Sequence, residues 1–350
     1  RLDPTLWAVP AGQAPESGEQ ISAHHGQDDS VVITGLELRT ATIDNSEGLL
    51  HALLSPAAED ERTITSIDVP LAKLGFPPSD LDHTLGQQLL IMQLVRDLLG
   101  KDGKLDASAT SILVGMGTDP NTTRYATRTR LAEWLEHWRE HGLPCDDSWF
   151  EQAKAAISPG LNAAGVLGTM PNIPANRSNH QLDLRGPSYT VAAEELGGVH
   201  CLQIAARSLL AGEVDAAVVG AVDLCRDDLY QHALQQALGQ QCAEQNVRTA
   251  DAAVALLLKR KSDAERDGDT IIAELAASGQ ISGNRTGDLS SPPSQQLTVH
   301  RWAQPQADYV RARIGHCHAA FGLLNVASAA LMLQHGLKFD LHSGRPGPEL

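Results

Sequence analysis

"GPSYTVAAEELGG", Gly186 to Gly198, is the stretch from which the fold is read. It rises as a strand through "SYTV" and turns sharply. After the turn, Leu196, Val199, Leu202, Ala206 and Leu209 recur at helical spacing, and Gly212 stands where a helix would stop. "VDAAVVGAV" then resumes a strand, so the unit is strand, elbow, helix, strand. Such an elbow often presents a nucleophile, yet here the first helical turn carries Glu194 and Glu195 and no Ser or Cys. The unpaired N–H groups and the macrodipole at a helix start favour negative charge by about 0.3–1 kcal/mol. A thiolate would be stabilised by the same field.

Outward from the elbow, short apolar runs alternate with helical patterns: "SVVITGL", "TSILVGMG", "SYTVAA", "VDAAVVGAV", "DAAVALLLK" and "TIIAELAASG". The alternation predicts an α/β fold with a largely parallel sheet covered on both faces. Helices are expected over Leu85 to Leu99, over the polar, Trp-studded Arg124 to His141, and over Ala319 to His335, which Gly336 ends. "VVITGLELR" near the start and "IIAELAASG" in the second half hint at duplicated halves. Residues 1–29 are rich in Pro, Gly, Ser and acidic residues and read as a linker from an upstream domain. Residues 30–342 form the body, and the turn-rich residues 343–350 read as a second linker. With Arg at its start, the chain is expected to be a piece of a longer polypeptide.

Composition narrows the class. The 350 residues are 42% hydrophobic and 20% charged, enough for a large core. The net charge of −16 argues against a nucleic-acid surface, because that affinity rests on clustered Lys and Arg. Five cysteines without CxxC spacing suggest reduced thiols in a cytoplasmic setting. No run approaches the roughly 18 apolar residues of a membrane helix, so no membrane association is expected. The Asn-X-Ser/Thr sites at Asn121, Asn176 and Asn284 read as chance in such a compartment.

The segment "GPSYTVAAEELGGVHCLQIAARSLLAGEVDAAVVGAVDL" resembles the nucleophile segment of the β-ketoacyl synthases, in which an Asp-Thr-Ala-Cys run follows Gly-Pro-Ser. In that alignment Gly186, Pro187 and Ser188 match, Ala192 takes the Asp position, and Glu195 takes the position of the nucleophilic Cys. "MPNIPANRSNHQLDLRGPS" resembles the lead into the elbow, and "RIGHCHAAFGLLNVASAALMLQHG" resembles the family's Asn-Ile-Gly-His motif and the helix after it. His316 thereby falls on a catalytic histidine position, Arg311 on the catalytic Lys position, and Arg313 on an Asn position. The second histidine motif, His-Gly-Thr-Gly-Thr, has no counterpart between "AELAASG" and "RIGHCH", where "TVHRW" supplies only His300. The closing Gly-Phe-Gly loop is missing too.

The resemblance implies a thiolase fold, with duplicated βαβαβαββ halves in a layered α-β-α-β-α arrangement and a C-terminal half that is either complete or reduced. "PNIPANR" and "EELGG" are similar to the polyunsaturated-fatty-acid synthases and iterative polyketide synthases. Those systems contain Cys-less ketosynthase-like domains: chain-length factors paired with an active ketosynthase, and pseudo-ketosynthases beside acyltransferases. Implied partners are an acyl carrier protein presenting phosphopantetheine-linked acyl chains, and an active ketosynthase or acyltransferase domain of the same synthase. No cofactor is expected to be bound. A homo- or pseudo-dimer is implied through the strand Ser188, Tyr189, Thr190, Val191 and Ala192, a stretch that also lies beside the family's substrate channel.

A carboxylate is a poor substitute for the thiolate, since it would give an unstable mixed anhydride and repel a malonyl carboxylate. Condensation is therefore not expected. Glu195 reads either as a channel-gating or decarboxylase-like residue or as simple stabilisation of the helix start. His316 reads as a retained catalytic imidazole or as a packing residue. Adjacent "HCH" at 316 to 318, without a second cluster, does not point to a metal, and none is expected. Cys201 reads as a small hydrophobe. Arg124, Arg128 and Arg130 could form a basic ledge that docks an acidic carrier protein, or belong to an exposed helix held by Arg–Glu pairs. The expected function is a non-condensing ketosynthase-like domain. The rivals are a malonyl-carrier-protein decarboxylase of the same fold and a carrier-protein or acyltransferase docking module with no substrate channel.

Overall fold

Buried apolar runs pair into one mixed sheet in the computed structural model, which describes residues 29–55, 60–72, 74–100, 105–233, 236, 248–275, 296–297, 305–339 and 346–348. The strands are β1 (Val31–Thr40), β2 (Thr110–Met116), β3 (Ser188–Val191), β4 (Ala216–Asp223), β5 (Ala252–Arg260), β6 (Ala273–Leu275) and β7 (Gln296–Leu297). Their spatial order is β3-β2-β4-β5-β1-β6-β7. All six apolar runs from the sequence are strands of this sheet. β3, β2 and β4 are mutually parallel, as are β6 and β7 at the other edge, whereas β5 runs antiparallel to both β4 and β1, and β6 antiparallel to β1. The expected parallel sheet is therefore mixed. Runs buried on both faces report burial and not direction, which is why the sequence left β5 undetermined.

Every residue of β2, β4 and β5 is buried. Alternate side chains feed two cores. On one face Ile112, Val114, Val218, Val222, Ala255 and Leu257 meet Leu90, Ile91, Leu94 and Leu98 of helix α2 (Gly86–Leu99). On the other face Leu113, Val219, Val254 and Leu256 meet two long helices. These helices are numbered after α1 (Ser46–Leu54), α3 (Pro120–Glu140), α4 (Asp147–Ile157), α5 (Ala163–Thr169), α6 (Ile173–Leu182), α7 (Gly197–Leu210), α8 (Lys261–Asp267) and α9 (Pro305–Arg313); the two in question are α7 and α10 (His318–Gln334). The three helices expected from the sequence are thus α2, α3 and α10. Helix α3 begins four residues earlier than its apolar pattern, because Asp119 caps it through Asn121 N–H and Pro120 fits the first turn.

The elbow is built by glycines. A Cβ on Gly115 of β2 would lie 2.4 Å from the Gly198 nitrogen, and one on Gly198 would lie 2.8 Å from the Ala221 Cβ of β4. The start of α7 consequently sits against the ends of β2 and β4, closer than any side chain would permit. "EELGG" is the sequence trace of that contact.

The two runs read as a hint of duplication, in β1 and β6, lie side by side as an antiparallel pair, with Val31 opposite Leu275. Beyond β7, the C-terminal part contributes α9, α10 and a two-stranded ribbon, β8 (Leu337–Phe339) with β9 (Pro346–Pro348). Part of the stretch read as the second linker is thereby paired. Residues 1–28 and His300 lie outside the described residues.

Candidate functional site

The elbow, the loop before α10 and the end of β4 converge beyond the carboxyl ends of β2 and β4, the usual location of sites in open α/β sheets. Glu194 occupies the tip with φ +49°, left-handed for a residue with a side chain, and Glu195 follows in a short 3-10 turn that runs into α7. Opposite stands His316. Its backbone is clamped to the strand leading into β5: His316 N–H donates to the Arg248 carbonyl (2.7 Å) and Ala250 N–H donates to the His316 carbonyl (3.0 Å). The preceding Gly315 has φ +116°, and a Cβ there would meet Arg62 Nη1 at 2.7 Å and the Ala250 Cβ at 2.6 Å. Glycine before His316 is therefore a geometric requirement at this corner.

Glu195 and His316 are bonded to each other. Nε2 of His316 lies 2.9 Å from Oε1 of Glu195, with the side chains 3% and 14% exposed. A carboxylate only accepts, so Nε2 carries the proton, and Nδ1 is buried with no hydrogen-bond partner among the described residues. The ring packs on Phe321 at 5.2 Å between centroids.

A second imidazole continues the cluster. His318, at φ +33°, places Nε2 3.3 Å from Oε2 of Glu194, and its Nδ1 faces Oδ1 of Asp223 at 3.8 Å. Asp223 ends β4, is 1% exposed, and accepts a 2.7 Å hydrogen bond from the Tyr230 hydroxyl. Burial pushes its carboxyl well above the ordinary 3.8, only partly opposed by that bond, and the neighbouring Asp251 and Asp119 push it further. Burial also lowers His318 below the ordinary 6.5, against the pull of Glu195 and Glu194. Both groups are held towards their neutral forms. Asp223 and Tyr230 were not singled out in the sequence; the available signal was a lone Asp closing the otherwise apolar run "AAVVGAVD".

No thiol replaces the missing nucleophile among the described residues. Cys317, between the two histidines, is fully buried and its thiol is pushed far up by desolvation. Cys201 is buried in α7, with its thiol pushed up to about 12. Arg311 bonds Asp308 at 3.2 Å and stacks on Phe321 at 5.2 Å, reaching His316 only through that shared ring. Arg313 stacks on Tyr309 at 4.7 Å and donates to its hydroxyl.

The strand Ser188–Val191 forms the sheet edge, bonded to β2 on one side only among the described residues. Tyr189 is 41% exposed, Ala192 is exposed, Thr190 and Val191 are half-buried, and Ser188 Oγ donates to Asn176 Oδ1 at 2.7 Å. The three arginines of α3 are unequal. Arg124 is a bidentate partner of Asp227 (2.6 and 2.8 Å), and Arg128 donates to the Ser158 carbonyl (2.8 Å) and to that of Lys154 at the end of α4. Arg130 is exposed, beside Glu133 at 3.4 Å. Two of the three are thus committed to internal contacts.

Residues 73–264, more than half of the chain, match the family model described as the β-ketoacyl synthase N-terminal domain. The chain belongs to the β-ketoacyl synthase family. Among curated relatives of this ketosynthase-family chain, the highly reducing polyketide synthase GPY1 of Gibberella fujikuroi is 36% identical over 167 residues, 44% of this chain and 6% of that protein. One chain of the polyunsaturated fatty acid synthase of Thraustochytrium sp. is 27% identical over 169 residues, 46% of this chain and 8% of that protein. The chain therefore spans less than a tenth of each relative's length. Among solved structures, the PfaC ketosynthase–chain length factor superposes with a TM-score of 0.62 at 18% identity, covering 87% of this chain and 40% of that one. The ketosynthase from module 1 of the bacillaene synthase of Bacillus amyloliquefaciens gives 0.57 at 17%, covering 92% and 64%. At such identities these neighbours establish the fold, which is the thiolase fold of ketosynthases.

Proposed function

We propose that this ketosynthase-family domain does not condense and instead serves as a chain-length factor or pseudo-ketosynthase within a polyketide or polyunsaturated-fatty-acid type synthase. One observation carries the reading: at the elbow the Glu195 carboxylate binds Nε2 of His316, the atom a working imidazole would turn towards a substrate carbonyl. The bond holds the imidazole and a fixed negative charge together where a malonyl carboxylate would have to enter. Like-charge repulsion opposes that entry. In this reading the domain acts in the cytoplasm, acyl chains arrive on the phosphopantetheine arm of an acyl carrier protein, and the partner is an active ketosynthase or acyltransferase domain.

Carbon dioxide release from malonyl-carrier protein and acyl transfer from an acyl thioester test this for the wild type, Glu195→Gln, Glu195→Cys and His316→Ala. Wild type is expected at the background rate, and Glu195→Cys is expected to give no condensation product, because residues that act as a unit contribute non-additively. Glu195→Gln removes the repulsion and leaves an amide beside His316, so any latent decarboxylation emerges there first. Robust wild-type release that disappears in His316→Ala would make the domain a decarboxylase.

A further inference from the structure

The end of helix α3 gathers a cluster that plays no part in the site above. His137, Glu140 and His141 are spaced i, i+3 and i+4, which brings them to one side of the last turn. One ligand atom from each lies within 4.8 Å of the other two, and all three residues are exposed. The imidazole rings stand 4.2 Å apart, tilted by 47°.

Two features of the surroundings suit a cation. Nδ1 of His141 lies 2.8 Å from the carbonyl oxygen of His137. The oxygen can only accept, so Nδ1 carries the proton and the lone pair sits on Nε2. A ring N–H anchored on a backbone carbonyl is how metal-ligating histidines are commonly oriented. The carbonyls of the last helical turn also gather here, with His141 N–H shared among those of His137, Trp138 and Arg139, and this negative end of the macrodipole favours a cation. Arg139, the cationic residue within the same turn, is engaged elsewhere: it donates to the Cys145 carbonyl and to Asp147, each at 2.7 Å.

We propose that His137, Glu140 and His141 form a surface site for a borderline divalent cation such as Zn2+. Two imidazole nitrogens and one carboxylate oxygen are a mixed set that zinc accepts at about 2.0–2.2 Å, with solvent in the fourth position. Mg2+ and Ca2+ prefer oxygen-only sets and are excluded by the two imidazoles. Exposed side chains close the remaining gap between ligand atoms by rotation. His141 is the first residue past the helix, so a shared ion ties the exit of the chain back onto α3. That exit leads into the corner where Trp138 packs edge-on against Trp149 of α4 at 6.0 Å. Metal binding therefore stiffens the α3–α4 corner.

The experiment titrates Zn2+ alone into the full chain in chelator-free buffer by calorimetry, with Co2+ absorption reporting coordination. The wild type is expected to take up one equivalent at its tightest site and to melt at a higher temperature with zinc present. Each of His137→Ala and His141→Ala should weaken that site at least tenfold, Glu140→Gln should weaken it less, and Cys145→Ser should leave it unchanged. These side chains are exposed, so far-UV circular dichroism should show the variants folded. Absence of binding in the wild type, or a tightest site of unchanged affinity in the His137→Ala/His141→Ala double variant, would overturn the assignment.

Discussion

Asp223 is the residue whose chemistry most constrains the site. Its folded-state carboxyl titrates well above the ordinary 3.8 because it is buried. The unfolded chain therefore releases this proton at lower pH than the folded one, and the stability tied to the neutral form is lost as pH rises above about 4. His318 works from the other side: with its folded value below the ordinary 6.5, its contribution is present above that pH and lost as pH falls through it. Asp223→Asn keeps an acceptor for Tyr230 and supplies a permanent donor towards His318, with no proton to lose. Its melting temperature should exceed that of the wild type by a margin that widens from pH 4 to pH 8. A constant margin, or none, in a pH series of thermal melts would show that Asp223 is ionised in the fold.

Among elements, the elbow and the sheet edge have measurable consequences. A Cβ at Gly115 would approach backbone atoms of Gly197 and Gly198 within 2.5 Å, and backbone cannot rotate away as a side chain can. Gly115→Ala should cost about 3 kcal/mol or more by denaturant unfolding. Gly212→Ala, at a left-handed helix stop with φ +73°, should cost only about 1 kcal/mol. Strand β3 leaves a row of backbone groups without a second ladder among the described residues, and an edge of this kind invites pairing with another chain. We expect a dimer through Ser188 to Ala192, with a second copy or with an active ketosynthase. A monomer by analytical ultracentrifugation, both alone and beside its neighbouring domains, would count against it.

At this scale the sequence was legible where period and punctuation agree. The strand, turn and helix of "SYTVAAEELGG" and the stop at Gly212 all appear in the structure. Strand direction was not legible in β5, because an all-apolar run has no face to reveal. The site was half legible. Glu195 and His316 were found through motif positions, but their mutual hydrogen bond joins residues 121 positions apart. Asp223 and His318 gain their role only from burial and from facing each other, which no local pattern records. Whether Arg124 and Arg128 formed a basic ledge or were held in pairs stayed open in the sequence, because their partners, Asp227 and the end of α4, lie elsewhere in the chain.

For the whole molecule, the placement of its thiols has a practical outcome. Cys201, Cys225 and Cys317 are buried, and desolvation pushes each thiol up, so little thiolate forms at neutral pH. In the native protein iodoacetamide should label Cys145, the partly exposed one among the described cysteines, and reach these three only after unfolding, as read by peptide mass mapping. A condensing ketosynthase, by contrast, depends on an accessible thiolate. Mixed with such a partner, this domain would take up an electrophile at Cys145, between α3 and α4, while the same reagent silences the partner outright. An alkylated partner could then be exchanged for a fresh one on a domain whose buried thiols are unmodified, and the contribution of each to the product could be assigned by chemistry, with no mutation in either chain.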